Sequence, residues 1–274
     1  MEFIEAFLLG LLQGITEFLP VSSSGHLALG SALLQSDLAP GITFEIVVHF
    51  GSFCSIVVYF HKRIGIILSD LLKTFSPDGI RSRRYATDAS TKLSAIILLS
   101  MIPAGVVYFA FKDSIEAIFF NPFLVSCMLL VTGSLLFSTR FVVNPQKDVS
   151  VGRGLMMGVA QAFALIPGIS RSGSTISVGL FMGINRDDVA NFSFLMVLPV
   201  LGGAMLYDLT RIVGSGIDSV TAISLIIGFF TSFISGYFAL KYLIILLKKD
   251  KIHYFAYYCW TVGIFGIFYF FSEL

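Results

Sequence analysis

Two short polar stretches interrupt otherwise apolar regions of the sequence: Leu19-Pro20-Val21-Ser22-Ser23-Ser24-Gly25-His26 and Pro167-Gly168-Ile169-Ser170-Arg171-Ser172-Gly173-Ser174-Thr175. Each lies near the middle of a longer apolar region, 3–34 and 155–184. A half-helix of about 15 residues rises only about 22 Å, which is less than the roughly 30 Å of a bilayer core. We therefore predict two re-entrant helical hairpins whose tips are buried in protein, where irregular backbone is tolerated at that depth.

The composition of the whole chain agrees with a membrane protein. Hydrophobic residues make up 56% of the 274 residues and charged residues 13%, and the mean hydropathy is +0.88. A soluble domain carries roughly 25% charged residues, so this chain could not cover a water-facing surface. A soluble enzyme, a nucleic-acid-binding protein and a disordered protein are excluded, and no nucleic acid is expected as a partner.

Six further apolar stretches are each long enough to cross a bilayer, which takes about 20 helical residues. They cover residues 44–61, 93–111, 121–143, 192–210, 219–240 and 253–271. The sequence therefore predicts an all-α polytopic membrane protein with six transmembrane helices and two re-entrant hairpins, in a single integral membrane domain over 1–274.

The two hairpins are related in sequence. A shift of 148 residues aligns Gly10, Gln13, Ser22, Ser24 and Gly25 with Gly158, Gln161, Ser170, Ser172 and Gly173. Each half of the chain, 1–145 and 150–274, then consists of one hairpin followed by three spans. A hairpin returns to its own side of the membrane and three spans do not, so we expect the second repeat to be inverted relative to the first.

The basic residues give an independent indication of the orientation, because Lys and Arg concentrate on the cytoplasmic side. Of the 18 Lys and Arg residues, fifteen fall in segments that the repeat assigns to one side. Lys112 and Arg211 fall on the other side, and Arg171 lies at a hairpin tip. We predict that both termini lie outside, that hairpin one enters from outside, and that hairpin two enters from the cytoplasm.

The two tips are expected to form one site near the bilayer midplane, because inverted repeats bring their broken helices together there. Hairpin one supplies Glu17, Ser23 and His26 at positions where hairpin two has Leu165, Arg171 and Ser174. Ionisable residues at membrane depth are costly and are therefore functional candidates. Half-helix N-termini rich in hydroxyls suit a phosphate group, and the residues predicted to bind it are Gln13, Ser22, Ser24, Ser170, Ser172 and Thr175.

Each ionisable residue has a predicted role. Arg171 suits phosphoryl oxygens, which a guanidinium holds in a bidentate fork. Glu17, helped by Gln13 one turn away, is a candidate ligand for Mg²⁺ or Ca²⁺, because hard cations prefer oxygen ligands and bridge to phosphate. His26 is a candidate general acid or base. Ser23 is a candidate nucleophile activated by that histidine, and direct attack by water is the alternative.

Simpler interpretations compete at several positions. Ser22 and Ser174 would cap helices in any Pro- and Gly-containing turn. Arg171 would neutralise Glu17 even in a purely structural ion pair. His49, on the first span, could reach the cavity, but polar packing inside the bundle is the favoured interpretation.

Both polar stretches resemble the signatures of the bacterial undecaprenyl-diphosphate phosphatase family, also called the bacitracin-resistance family. The first signature is carried by Gln13-Gly14-Ile15-Thr16-Glu17-Phe18-Leu19-Pro20-Val21-Ser22-Ser23-Ser24-Gly25-His26, and the second by the stretch from Pro167 to Thr175. The family's first signature often begins with Glu where this chain has Gln13, which leaves Glu17 as the only carboxylate of the pair. By resemblance, Ser23, His26 and Glu17 are candidates for nucleophile or general base, with Arg171 on the phosphate.

The resemblance implies an enzyme that hydrolyses undecaprenyl diphosphate to undecaprenyl phosphate and inorganic phosphate. This reaction recycles the lipid carrier for peptidoglycan and other envelope polymers, and bacitracin resistance is associated with it. The expected location is the bacterial cytoplasmic (inner) membrane, with the site opening on the outer side. The expected partners are the diphosphate lipid and membrane lipids, and a homodimer is left open.

Two rival functions share some of these features. A transporter or flippase for the polyprenyl phosphate carrier would also have inverted repeats with broken helices, but it has little need for clustered Glu, Ser, His and Arg. A lipid phosphatase that forms a phosphohistidine would need a His after Arg171, and Ser177 occupies that place.

Overall fold

The computed structural model describes residues 3–34, 42–76, 89–203 and 219–271. The helices are α1 Phe3–Phe18, α2 Ser23–Leu34, α3 Ile42–Tyr59, α4 His61–Thr74, α5 Ala89–Phe119, α6 Pro122–Ser138, α7 Val151–Phe163, α8 Arg171–Phe181, α9 Arg186–Leu195, α10 Ser219–Lys248 and α11 Phe255–Phe271. Short 3₁₀ helices cover Thr139–Phe141 and Ile252–Tyr254, and residues 198–203 are helical. The described residues contain no strand beyond one isolated bridge between Lys147 and Ile184, so the predicted all-α fold is confirmed.

Within the described residues, four helical stretches are long and apolar enough to cross a membrane. They are Ala89–Ile115, Pro122–Phe141, Ala222–Lys248 and Ile252–Phe271. They coincide with the predicted spans 93–111, 121–143, 219–240 and 253–271, which confirms a polytopic membrane protein. A fifth span is formed if the bent pair α3 and α4 is taken together.

The predicted span 44–61 ends in a sharp bend. The chain turns by 77° between Thr43–Tyr59 and His61–Thr74. Hydrogen bonding continues through the bend, because the Phe60 amide donates to the Ile56 carbonyl and the Ile64 amide donates to the Phe60 carbonyl, both at 2.9 Å. The charged residues Lys62 and Arg63 open α4, so the bend lies where the apolar sequence ends.

The predicted span 192–210 is not one continuous helix. The helix begins earlier, at Arg186, where the Asn185 side chain caps it by accepting from the Asp188 amide at 2.9 Å. It ends at Leu195, and helix resumes at 198. Pro199 favours this break, because proline has no N–H to donate within a helix and is tolerated best in a first turn. Residues 204–210 lie outside the described residues.

Each hairpin packs against a long helix from the other half of the chain. α1 lies along α10, and α7 lies along α5. Glycines permit this close approach: a Cβ on Gly10 would lie 2.6 Å from the Gly228 carbonyl oxygen, and one on Gly158 would collide with the Ser100 carbonyl oxygen. Small residues at helix contacts are typical of membrane bundles. The repeat boundaries 1–145 and 150–274 remain predictions.

Candidate active site at the hairpin tips

The tips of the two hairpins contact each other inside the bundle. A Cβ on Gly25 would lie 3.0 Å from the Gly168 Cα atom, so this pair of glycines lets the two backbones meet. The Ser172 hydroxyl donates across the contact to the Leu19 carbonyl at 3.4 Å. The predicted convergence of the two polar stretches is thus seen in the structure.

The two tips repeat the same local geometry. Ser22 Oγ accepts from the Gly25 amide at 3.2 Å, and Ser170 Oγ accepts from the Gly173 amide at 3.1 Å. These serines cap α2 and α8, as predicted for Ser22, and each satisfies one of the unpaired amides at a helix N-terminus. Ser22 has a φ of 70°, a conformation that a β-carbon disfavours and that often accompanies functional turns.

Hairpin two is held by a neighbouring transmembrane helix. Thr132 of α6 donates from Oγ1 to the Gly168 carbonyl at 2.8 Å and accepts from the Ser170 amide at 3.0 Å. Gly168 has a φ of +93°, which glycine adopts without strain. Thr132 therefore holds the turn just before Arg171 at two points, the Gly168 carbonyl and the Ser170 amide. The Arg171 side chain extends from this fixed turn.

Glu17 is the centre of the polar contacts. Its Oε1 accepts from Arg171 Nη2 at 2.9 Å, and its Oε2 accepts from Ser23 Oγ at 2.9 Å and from Gln13 Nε2 at 3.1 Å. The Glu17 side chain is only 8% exposed and that of Arg171 16%. A buried ion pair needs its remaining hydrogen bonds to be made, and here Ser23 and Gln13 supply those of the Glu17 carboxylate.

His49 also belongs to this cluster, although the sequence favoured simple packing for it. Its Nδ1 lies 2.9 Å from Gln13 Nε2 and 3.8 Å from Glu17 Oε2. The α3 helix brings it there from outside both hairpins. A histidine within an apolar span is the signal that points to such a role.

A cavity of about 40 Å³ lies between the tips. Its lining contains Thr16, Glu17, Ser22, Ser23, Ser24, Ala164, Ile169, Ser170 and Arg171. Most of the predicted site residues are therefore brought together on this surface. Four predicted residues, Gln13, His26, Ser172 and Thr175, do not line the cavity.

Three of these four support residues that do. Gln13 donates to Glu17 as described, and the Ser172 hydroxyl lies 3.3 Å from that of Ser170. Thr175 Oγ1 donates to the Arg171 carbonyl at 2.9 Å and lies 2.7 Å from Ser193 Oγ. In this structure the three residues support the residues that line the cavity, and their direct contact with phosphate stays a prediction.

His26 is engaged away from Ser23. Its Nδ1 lies 2.8 Å from the Ser22 carbonyl, and its Nε2 lies 2.9 Å from the Tyr258 hydroxyl. The two rings are stacked, with an angle of 8° between their planes. The predicted activation of Ser23 by His26 is therefore not seen in this arrangement, because the Ser23 hydroxyl donates to Glu17. Tyr258, on α11, has no motif around it and was missed.

Two buried polar atoms of the cluster have no hydrogen-bond partner: Arg171 Nη1 and Gln13 Oε1. A donor and an acceptor left unpaired at such depth are costly unless a ligand satisfies them. Arg171 Nη1 suits a phosphoryl oxygen, and Gln13 Oε1 beside Glu17 suits a hard cation. Within the described residues no group of three or more His, Cys, Asp or Glu could hold a metal ion, so a cation here would need oxygens from a ligand as well.

Comparison with known proteins agrees with these features. Residues 6–265 match the family described as bacitracin resistance protein BacA. The undecaprenyl-diphosphatase of Bacteroides fragilis is 44% identical over 268 residues, which cover 96% of this chain and 97% of the relative. The undecaprenyl-diphosphatase of Salinibacter ruber is 40% identical over 269 residues, covering 97% of this chain and 99% of the relative. This chain therefore belongs to the bacitracin resistance protein BacA family.

Proposed function

We propose that this protein hydrolyses undecaprenyl diphosphate to undecaprenyl phosphate and inorganic phosphate, and so recycles the lipid carrier used for peptidoglycan and other envelope polymers. The observation that carries the proposal is the meeting of Glu17, Ser23 and Arg171 between two hairpin tips. Relatives of nearly the same length are named for this reaction. Resistance to bacitracin is the phenotype that goes with the family description.

Arg171 holds the terminal phosphate in this proposal. Its Nη1 is buried and unpaired, while Nη2 is bonded to Glu17. A diphosphate that reaches the cavity offers oxygens to both nitrogens, and bidentate guanidinium–phosphate pairs are among the stronger charge-assisted hydrogen bonds. The N-termini of α2 and α8, which begin at Ser23 and Arg171, add partial positive charge on the same side.

Ser23 is the nucleophile that the geometry favours. Its hydroxyl already donates to Glu17 Oε2 at 2.9 Å, so the carboxylate can accept the proton as Oγ attacks the terminal phosphorus. The anhydride P–O bond breaks, and undecaprenyl phosphate leaves. Water then attacks the phosphoserine, inorganic phosphate is released, and Ser23 recovers its proton. Direct attack by water with Glu17 as its base is the competing route.

We also propose that His26 acts as a general acid or base. The roles of Ser23 and His26 are tested side by side. Ser23→Ala and His26→Ala variants are compared for phosphate release. If catalysis is covalent through Ser23, the Ser23→Ala variant should release no inorganic phosphate. With a substrate labelled in its terminal phosphate, wild type should become labelled in rapid-quench samples and the variant should not. A Ser23→Ala variant with wild-type turnover would leave direct attack by water as the route.

A divalent cation, Mg²⁺ or Ca²⁺, is proposed to bind beside the substrate. Glu17 and Gln13 Oε1 would hold it, and diphosphate oxygens and water would complete its shell. When bound, the cation would neutralise phosphate charge. The test has a binding readout: isothermal titration of a non-hydrolysable diphosphate analogue with and without Mg²⁺ is expected to show tighter binding with the cation, and Glu17→Gln is expected to remove that difference.

The decisive experiment for the function uses purified protein and a soluble short-chain isoprenyl diphosphate. Release of inorganic phosphate is expected with wild type, and release about a hundredfold to a thousandfold less efficient with Arg171→Ala. A folded wild-type protein that releases no phosphate under any divalent cation would refute the proposal. The transporter alternative predicts that outcome together with movement of the monophosphate lipid across proteoliposomes.

We also propose the inner membrane as its location, with both termini and the opening of the site on the outer (periplasmic or extracellular) side. The distribution of fifteen of the 18 Lys and Arg residues supports this orientation,. Four of the 18 lie outside the described residues: Arg81, Arg83 and Arg84 of the fifteen, and the outward-assigned Arg211. A homodimer stays a prediction, for which light scattering of the purified protein is the measurement.

A further inference from the structure

A second cavity, of about 300 Å³, lies far from the hairpin tips. Its walls come from α4, α5, α9 and the segment that precedes α7, and it shares no described residue with the cavity at the tips. The 13 residues of α7 separate this level from the tip of hairpin two, a distance of about 20 Å along the helix. The volume is at the small end of the range for ligand pockets, which begins near 300 Å³.

Four charged side chains line this cavity: Arg63, Lys92, Asp148 and Asp188. In the described part of the chain, none of the four is in an ion pair. The Asp188 carboxylate accepts a hydrogen bond only from the Asn185 amide, at 2.8 Å. Two cations and two carboxylates are therefore arranged around one open space without neutralising one another.

Neighbouring charges on the same helix behave differently. Asp187 pairs with Lys248 at 2.7 Å, and Arg186 pairs with Asp250 at 2.8 Å. Both residues reach toward the end of α10, whereas Asp188 turns to the cavity. Ion pairs therefore form at this end of α9, and the four charged side chains that line the cavity are not among them.

The polarity of the cavity changes with depth. Lys92 and Asp188 lie in the first turns of α5 and α9. Four residues further along the same helix faces are Ile96 and Phe192, which are 7% and 1% exposed and also line the cavity,. The cavity therefore has a charged mouth and an apolar floor. Lys92 also lies near the beginning of the candidate membrane span Ala89–Ile115, so we expect the mouth to lie near the membrane surface.

We propose that this cavity binds the headgroup of a zwitterionic phospholipid that carries a primary ammonium group, an ethanolamine-type lipid. Arg63 and Lys92 bind the phosphodiester, and Asp148 and Asp188 accept hydrogen bonds from the ammonium. The apolar floor favours a lipid over a free phosphate as the occupant, because Ile96 and Phe192 offer contacts to carbon atoms and no further charge. A quaternary ammonium has no N–H for these carboxylates and is recognised instead by aromatic cages. The described lining contains one aromatic residue, Phe192, which is too few for a cage.

The experiment is native mass spectrometry of the purified protein with an equimolar mixture of phospholipids that have identical acyl chains and ethanolamine, choline or glycerol headgroups. The ethanolamine lipid is expected to be retained about tenfold better than the other two, the difference that one charge-assisted hydrogen bond makes. Equal retention of all three lipids would overturn the proposal. So would displacement of the bound lipid by soluble phosphoethanolamine at the same concentration.

Variants separate the two halves of the site. Asp148→Asn with Asp188→Asn is expected to remove the preference for ethanolamine while phospholipid binding continues, and Arg63→Gln with Lys92→Gln is expected to weaken all three lipids about tenfold. Asp187→Asn, whose carboxylate faces Lys248 instead, is the matched control and should change nothing. Preference retained in the double asparagine variant, or lost equally in the control, would refute the assignment. Phosphate release is measured separately, because this inference does not depend on it.

Discussion

Arg171 and Glu17 neutralise each other across the two hairpin tips, at 2.9 Å, and this contact determines how substitutions of either residue should behave. Arg171→Ala is expected to lower kcat/KM by about a hundredfold to a thousandfold, the range for removing a key donor from a transferring group. Phosphate release from a short-chain isoprenyl diphosphate measures it. Turnover near the wild-type level would contradict the role of Arg171.

The stability of this variant needs its own control, because the substitution leaves a buried carboxylate without its cation. Breaking a buried pair costs about 3–5 kcal/mol. The double variant Glu17→Gln with Arg171→Ala is expected to recover most of the melting temperature and none of the activity. Arg140→Ala, a cation that stacks on Phe137 away from the site, is the matched control for losing an arginine.

Tyr258 is expected to position His26 through its hydroxyl. Tyr258→Phe keeps the stacked ring and removes the donor at 2.9 Å from Nε2. We expect kcat to fall by about three- to tenfold, the effect of one hydrogen bond, and the pH dependence of kcat to change shape.

The neighbouring Tyr257→Phe should leave both quantities at the wild-type value. A change in melting temperature alone, with an unchanged pH profile for Tyr258→Phe, would mean that the hydroxyl serves only the packing of α11.

Sequence reasoning found some site residues and not others, for a physical reason. Glu17, Ser23 and Arg171 stand out because they lie in or beside the two related polar stretches, at positions where the two repeats differ. His49 and Tyr258 come from α3 and α11. His49 is marked only as a histidine within an apolar span, which does not tell cavity lining from polar packing, and no motif surrounds Tyr258. The Ser23–Glu17 hydrogen bond was also missed, because six positions along the chain cross a turn whose geometry is set by Ser22 and its positive φ.

At the scale of helices, the contact between α7 and α5 gives a test with an internal control. Both Gly152 and Gly158 lie in α7. A Cβ on Gly158 would collide with the Ser100 backbone, whereas a Cβ on Gly152 meets nothing within 4 Å. Gly158→Ala is expected to destabilise the fold by about 1–3 kcal/mol, as overpacking does.

Gly152→Ala should be neutral or slightly stabilising, because alanine is the better helix former. Thermal unfolding in detergent compares the two variants. Equal melting temperatures would show that α7 and α5 can separate without cost, and that the hairpin is not seated by this contact.

The predicted helices differ from the observed ones where a break has no strong local signal. The hairpin turns were predictable from clustered Pro, Gly and Ser. The 77° bend after α3 lies at Phe60, and neither Pro nor Gly occupies that position. The charged residues Lys62 and Arg63 mark only the end of the apolar sequence. The contact at the bend is tertiary: the centroid of the Phe60 ring lies 6.3 Å from that of Phe194. The break after Leu195 has Pro199 near it, but the residues on both sides are apolar, so the sequence resembles one continuous span.

At the scale of the whole molecule, the orientation can be tested with two single cysteines in a background without Cys54, Cys127 and Cys259. Ser82→Cys lies in the basic loop that the charge distribution assigns to the cytoplasm, and Ser114→Cys lies at the opposite end of α5. A membrane-impermeant thiol reagent added to intact cells is expected to label Ser114→Cys only. Labelling of Ser82→Cys alone would reverse the proposed topology, and labelling of both after lysis is the control for access.

In the ion pair with Arg171, Glu17 occupies a position that a phosphate oxygen of the substrate would take. In the proposed mechanism a diphosphate gains the bond to Arg171 Nη1, which has no partner. At Nη2 it must compete with Glu17, which already accepts from that nitrogen at 2.9 Å. A diphosphate brings more negative charge than a monophosphate and displaces Glu17 more readily. We expect Glu17 to return to Arg171 once the terminal phosphate is gone, which favours release of the product. An inhibitor of this site is likewise expected to need enough negative charge to displace Glu17 from Arg171.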